Sequence, residues 1–215
     1  MKKYELTEET VTVYGKTLYR IRAVRDFGSV KTGEFGGYIE KEENLSHFGN
    51  AWVFGNAWVF DNAKVYDDAW VFGNAWVFDN ARVYDDTWVY GNARVYDNAW
   101  VFGNAWVFGN AKVYDDAWVC GDAKVYGDAW VSGNAEVFNT MHFFVQGPIG
   151  SRNGFITFYR TKDNTVEVRC GCFSGSLQKF VDRVEETHGG SRYEKEYKLA
   201  AELAKVCISL EGESR

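Results

Sequence analysis

The sequence is nearly without proline, one residue in 215, and it holds only three histidines and four cysteines. The cysteines, Cys120, Cys170, Cys172 and Cys207, show neither CxxC spacing nor the density of a secreted disulfide scaffold, so a reducing compartment suits them. No window approaches the roughly 18 uncharged apolar residues that a membrane span needs. The start, Met1-Lys2-Lys3-Tyr4-Glu5, runs into charge instead of a signal-peptide core. The expectation is a cytoplasmic protein without a membrane partner. Positive charge is also scarce: net charge is −6, and no basic stripe is present to neutralise phosphates, which excludes conventional nucleic-acid binding. What the chain has instead is 46% hydrophobic residues, 18% aromatics and nine tryptophans. That is ample for a buried core, and a composition this skewed signals repetition.

From Val53 to Val137 a valine recurs every sixth residue, fifteen times, without insertion or deletion. The unit reads valine, aromatic, Gly or Asp, Asn or Asp, Ala, then Trp, Lys or Arg, as in Val53-Phe54-Gly55-Asn56-Ala57-Trp58. Side chains alternate faces along a strand, so in Trp52-Val53-Phe54 the valine points one way and both aromatics the other. Valine is therefore inside. The Gly/Asp and Asn/Asp pair tolerates positive φ and closes turns through its own side chains, so the chain bends there every six residues. The alanine, replaced once by Thr87, is small because three corners crowd the axis of a narrow coil.

The pattern resembles the hexapeptide-repeat family, in which three six-residue strands form one coil of a triangular left-handed β-helix. That resemblance implies handedness, and fifteen units imply five coils. It covers about half the chain, residues 39–139. Upstream, Gly36-Gly37-Tyr38-Ile39-Glu40-Lys41-Glu42-Glu43-Asn44-Leu45-Ser46 keeps the six-residue phase, with Ile39 and Leu45 in the alanine slot and His47 in the valine phase. This lead-in resembles hexapeptide-repeat proteins of phages and prophages, and through it the partner implied is a host factor such as a defence protein, inhibited by binding.

A solenoid exposes unpaired backbone at its ends and needs caps. Residues 1–38 supply one. Alternation over residues 9–24 about Tyr14-Gly15-Lys16 reads as a β-hairpin. Residues 140–215 read as a small α+β domain: strands at 142–146, 154–160 and 165–170, a helix from Leu177 to Thr187, and a second helix from about Tyr193 to Leu210. In the second helix Tyr193, Tyr197, Ala200, Leu203, Cys207 and Leu210 share one face at helical spacing. The fold class expected is mainly β, a left-handed triangular β-helix with an N-terminal β-hairpin cap and a small C-terminal α+β domain.

Hexapeptide-repeat proteins include acyltransferases that use a histidine base between coils, commonly beside loops that interrupt the solenoid. Here His47, His142 and His188 all lie outside the fifteen regular units, and those units contain no loop. An acyltransferase-like enzyme using His47 or His142 is the alternative class, and a carbohydrate-binding solenoid a further one. The carbonic-anhydrase variant of the fold would need three histidine ligands on zinc from widely separated segments. Cys170 and Cys172 share one side of a strand and with Cys207 or His188 could form a metal site, although small buried hydrophobes explain them as well. No metal and no cofactor is expected. The stretch from Gly147 to Gly154 has the glycines, hydroxyl and cation of an anion-binding loop in Gly147, Gly150, Ser151 and Arg152, without a Walker-type ending. The solenoid's twelve acidic residues against five basic could mimic DNA, but eleven of the twelve are turn aspartates that the bend explains.

Residues 18 apart stack about 4.8 Å above one another on one face. The first face carries Trp52, Trp70, Trp88, Trp106 and Lys124 in one column and Phe54, Phe72, Tyr90, Phe108 and Tyr126 in the other. The second has Trp58, Trp76, Arg94, Lys112 and Trp130, the third Lys64, Arg82, Trp100, Trp118 and Glu136. Stacking stabilises any such ladder by about 0.2–1 kcal/mol per pair, yet it does not explain why tryptophans and cations segregate by face. Trp52, Phe54, Trp70, Phe72, Trp88, Tyr90, Trp106 and Phe108 are therefore the candidate protein-binding residues, for a separate partner or for a homo-oligomer. The function expected is a non-enzymatic protein-interaction module.

Overall fold

Every valine and alanine of the repeat is sealed from solvent, and this fixes the architecture. The computed structural model describes residues 2–210. Strands β1 (Tyr4–Val13), β2 (Lys16–Ala23) and β3 (Phe35–Ile39) come first. Fifteen two-residue strands, β4 to β18, follow from Trp52–Val53 to Glu136–Val137. They stack in parallel into three sheets, each strand over the one 18 residues on, as in Trp88 on Trp106 and Val89 on Val107. The backbone ladder is continuous: Trp70 N–H donates to Thr87 O at 2.8 Å, Phe72 to Val89 at 2.9 Å and Asn74 to Gly91 at 2.8 Å. Valines 53 to 137 are 0–1% exposed and the repeat alanines 0%. Thr87 fits the alanine slot because its hydroxyl donates to Tyr84 O at 2.7 Å, leaving no buried polar group unpaired.

The corners behave as the turn residues require. Gly55, Gly73, Gly91, Gly109 and Gly127 take φ of 67 to 74°, and Asp61, Asp79, Asp97 and Asp115 take 56 to 59°. The two columns are not interchangeable. A Cβ on Gly91 would lie 3.0 Å from Gly109 N, so the coils approach too closely for a side chain at that corner. Beside them, Asn56, Asn74, Asn92, Asn110 and Asp128 form a ladder, each amide donating to the next side-chain oxygen at 3.4, 3.2, 3.0 and 2.9 Å. A second ladder runs through Asn62, Asn80, Asn98 and Asp116. These rungs repeat a short polar contact in the same place on every coil, which explains the restriction to Asn or Asp.

The lead-in departs from the reading of its sequence. Ile39 pairs with Val59 and Leu45 with Val65, a spacing of 20 residues instead of 18. Both are buried in the valine layer, not the alanine layer. Two extra residues widen the corner at 47–50, so His47 is not an inward repeat position. β3 joins the hairpin to a solenoid sheet in the order β1-β2-β3-β5-β8-β11-β14-β17, which makes that face six layers deep. The hairpin itself begins earlier than residue 9, at Tyr4.

At the far end β19 (Phe143–Ile149), β20 (Gly154–Arg160), β21 (Val166–Cys170) and β22 (Phe173–Ser176) form an antiparallel meander. Helices α1 (Leu177–His188) and α2 (Arg192–Cys207) cover it. β22 was not foreseen: Phe173-Ser174-Gly175-Ser176 has no alternation, and pairing with β21 makes it a strand. Ser176 and Ser191 cap the two helices, accepting from Lys179 N and Glu194 N. The core here is mixed, with Ile156, Phe158, Val168, Phe180, Val184 and Tyr197 at its centre.

The second helix corrects the face assigned to it. Its buried residues are Tyr197, Ala200, Ala201 and Ala204, with Ile208 just beyond its end. Leu203, Cys207 and Leu210 are exposed, as are Leu199 (70%) and Val206 (83%). Alanines allow α2 to pack close to the sheet, and the larger side chains are left outside. The helix ends at Cys207, three residues before the expected Leu210, because Ile208 turns extended at φ −89°, ψ 116°.

Solenoid and C-terminal domain are joined where the repeat degenerates. Ser132 stands in an aromatic position, and its hydroxyl accepts from Arg169 Nε at 2.7 Å. Arg169 also reaches Asp115 at 3.5 Å and lies over the Tyr114 ring. Trp130 N–H donates to Thr157 Oγ1 at 3.0 Å, and Ala135 bridges Thr161. These contacts cover part of the last coil's edge.

Candidate interaction surfaces

The first face bears two interlocked aromatic columns. Trp70 and Trp88 stack with ring centroids 6.4 Å apart and Trp88 and Trp106 at 5.2 Å, while Lys124 Nζ lies 4.7 Å over Trp106. Phe54, Phe72, Tyr90 and Phe108 stack at 4.8 to 5.0 Å. Phe72 meets Trp88 edge-on at 6.0 Å, and Tyr90 meets Trp106 at 6.5 Å. Trp88 is the one tryptophan of the nine that is exposed, at 40%.

Trp52 does not belong to this surface. It is 2% exposed, covered by Tyr4 at 6.2 Å and Phe27 at 5.2 Å between ring centroids. The N-terminal cap folds over the first coil and takes its tryptophan into the core, which the repeat alone could not reveal. The Lys3 side chain is buried in the same cap, donating to Ala51 O at 2.7 Å. Burial, then the nearby Arg25 charge, pushes its ammonium down to about 8.

The cations on the other faces continue the ladders. Arg94 lies 4.4 Å over Trp76, Arg82 4.7 Å over Trp100 and Lys112 4.1 Å over Trp130. Cation–π contact of this kind holds a mixed column together much as ring stacking holds an aromatic one. Phe60, Phe78, Tyr96 and Tyr114 also form an unbroken stack on the second face. Aromatic ladders are thus common to the whole solenoid, and the first face is distinguished by its uninterrupted run of three uncovered tryptophans.

The histidines are placed apart. His47 stacks on Tyr4 at 4.3 Å and its Nδ1 accepts from Lys3 N. His142 is buried at the opposite end, its Nδ1 accepting from Phe138 N at 3.1 Å, and burial followed by the Arg160 charge lowers its pKa. Neither lines the cavity of the C-terminal domain.

Several other singled-out residues converge. Ser151, Arg152, Cys170, Cys172 and His188 all border one cavity of about 530 Å³ in the C-terminal domain. Gly147 packs against Phe155, with no room for a Cβ. Gly150, at φ 72°, sits where a Cβ would meet the Tyr197 hydroxyl, and its N–H donates to Glu196 Oε2 at 2.7 Å. That amide already serves a carboxylate and Ser151 is bonded to Tyr197, so the group of the loop left for an anion is Arg152. Burial raises the Cys170 thiol's pKa, as it does that of the Tyr197 hydroxyl bonded to it. Among the described residues no three His, Cys, Asp or Glu side chains are grouped to hold a metal ion, and no helix is long and apolar enough to cross a membrane.

No curated protein matches the chain. The sequence pattern of the YdcK beta solenoid repeat matches residues 75–91, 88–103 and 93–108, all within the coils described above, and the repeat region of this protein is similar to that solenoid.

Proposed function

We propose that the protein is a non-enzymatic interaction module, a stiff solenoid that docks a protein through the Trp70, Trp88 and Trp106 ladder and carries its C-terminal domain at one end. The observation that supports this reading is the open tryptophan at the ladder's centre, Trp88, stacked between two more and met edge-on by Phe72. A rigid aromatic surface loses little side-chain entropy on binding, and tryptophan is the commonest interface anchor. The partner is a host protein if the lead-in's resemblance to phage proteins extends to role, or a second copy of the chain. Cytoplasmic location agrees with four free cysteines.

Replacing Trp70 and Trp88 together by lysine tests the reading. Arg94 and Lys112 occupy equivalent positions on the second face, so the coil tolerates cations there. Truncating an interface tryptophan costs about 2 kcal/mol or more, and about 1.4 kcal/mol is tenfold in affinity. Association measured by sedimentation velocity and by pulldown should fall at least tenfold. A folded variant that matches wild type in both would reduce the ladder to a structural role.

A further inference from the structure

One concavity of this acidic protein is lined with cations and no anions. The cavity of about 530 Å³ lies between the β19–β20 turn, the β21–β22 turn and α1. The whole chain has a net charge of −6, yet the lining includes Arg152 and Arg183 and not one Asp or Glu. No salt bridge among the described residues engages Arg152. Its charge acts instead on the Cys170 thiol, opposing the effect of burial. Among the described residues Arg183 pairs with Glu186 alone, at 3.3 Å and largely in solvent, a contact that competes weakly with a ligand.

The rest of the lining is largely apolar and aromatic, built from Phe155, Phe173, Phe180 and Val184. The walls are also fixed. Tyr197 is bonded to Ser151 and Cys170, the Gly150 amide is tied to Glu196 at 2.7 Å, and Phe180 meets Phe173 and Tyr197 edge-on at 5.4 and 5.8 Å. A preformed site of this size with a few polar groups at its edge is the ordinary form of a small-molecule site. Preformed walls also spare a ligand the cost of ordering them.

We propose that this cavity binds a small organic anion, a carboxylate or sulfonate on a flat aromatic body, with Arg152 and Arg183 on the charge and the phenylalanines on the ring. Guanidinium suits this role because its planar fork matches a carboxylate bidentately and can lie against an aromatic face. The site is separate from the tryptophan ladder, and its test does not depend on it.

Calorimetric titration with 1-naphthoate, with neutral 1-naphthamide as the control of equal shape, reads the proposal directly. Naphthoate should bind one to one, and naphthamide at least tenfold more weakly. Arg152→Gln with Arg183→Gln should weaken naphthoate at least tenfold; both arginines are exposed, so the variant keeps its fold. Bound naphthoate should also slow alkylation of Cys172, which lines the cavity, and leave Cys207, which does not, unchanged. Absence of saturable binding into the millimolar range overturns the proposal, as does equal affinity for the amide. Binding that survives the double substitution and leaves Cys172 unprotected places the probe on another apolar surface and also overturns it.

Discussion

The solenoid and the C-terminal domain solve the burial problem in opposite ways. The solenoid repeats one solution: valine and alanine inside, a turn pair at each corner, a ring or cation stacked on its neighbour 18 residues away. Every contact is with the next coil, so the role of a residue follows from its place in the period. The C-terminal domain has no period, and its core joins residues from four strands and two helices. There a residue's role depends on what happens to lie opposite. Surface shape divides the same way, with the repeat producing a flat ladder and the irregular domain producing a concavity.

The largest effect that separates the regions is expected inside the coil. Val89 is fully buried between Val71 and Val107, so Val89→Asp places an unpaired charge in a sealed apolar column and should cost several kcal/mol. A melting temperature within a degree or two of wild type would contradict the inward assignment.

In the C-terminal domain the contrast lies between neighbours on one helix. Ala201 is fully buried and Leu203 exposed. Ala201→Leu should cost about 1–3 kcal/mol by overpacking, and Leu203→Gln no more than about 0.5 kcal/mol, both read from denaturant midpoints. The reverse ranking would restore the face inferred from sequence.

This helix also marks where the sequence stops being legible. The valine period placed every solenoid strand, and the Gly or Asp corner residues have the positive φ that their chemistry implied. The same logic failed for Leu203 and Cys207, because amphipathic spacing names two possible faces and only the packing partner chooses between them. It failed for Trp52 and His47 for a related reason: the cap that covers one and stacks on the other comes from residues 25 to 48 positions away. The cavity is half visible in the sequence, since Ser151 and Arg152 stand out as part of a loop and Cys170, Cys172 and His188 as a possible metal site, with nothing to join the two groups. Arg183 does not stand out, being one charge among many on an amphipathic helix.

Corner chemistry gives a finer comparison within the solenoid. Gly91→Asp should cost about 1–3 kcal/mol, because its Cβ meets the Gly109 backbone. Asp97→Gly, at a corner where aspartate already takes a positive φ of 56°, should cost about 1 kcal/mol or less. Equal losses in thermal unfolding would show that the two columns are interchangeable.

The N-terminal cap should show itself through pH. The Lys3 ammonium titrates near 8 when folded against 10.5 when unfolded. Between these values the unfolded chain holds the extra proton, so stability rises as pH increases through the window. From pH 8 to 9.5 this contributes about 1–2 kcal/mol. Lys3→Met should remove that rise, and a variant whose stability changes with pH as wild type does would show that Lys3 is not buried as charge.

The central claim, that one face of a uniformly laddered solenoid is the docking surface, is tested most directly by placing the same two lysines on two faces. Trp70→Lys with Trp88→Lys alters the first face; Trp100→Lys with Trp118→Lys breaks an equivalent stack, 5.4 Å between rings, on the third. Both pairs should cost similar stability. Sedimentation velocity and pulldown should then show association weakened at least tenfold for the first pair and within about twofold of wild type for the second. Equal loss on both faces, or loss on neither, would contradict the account.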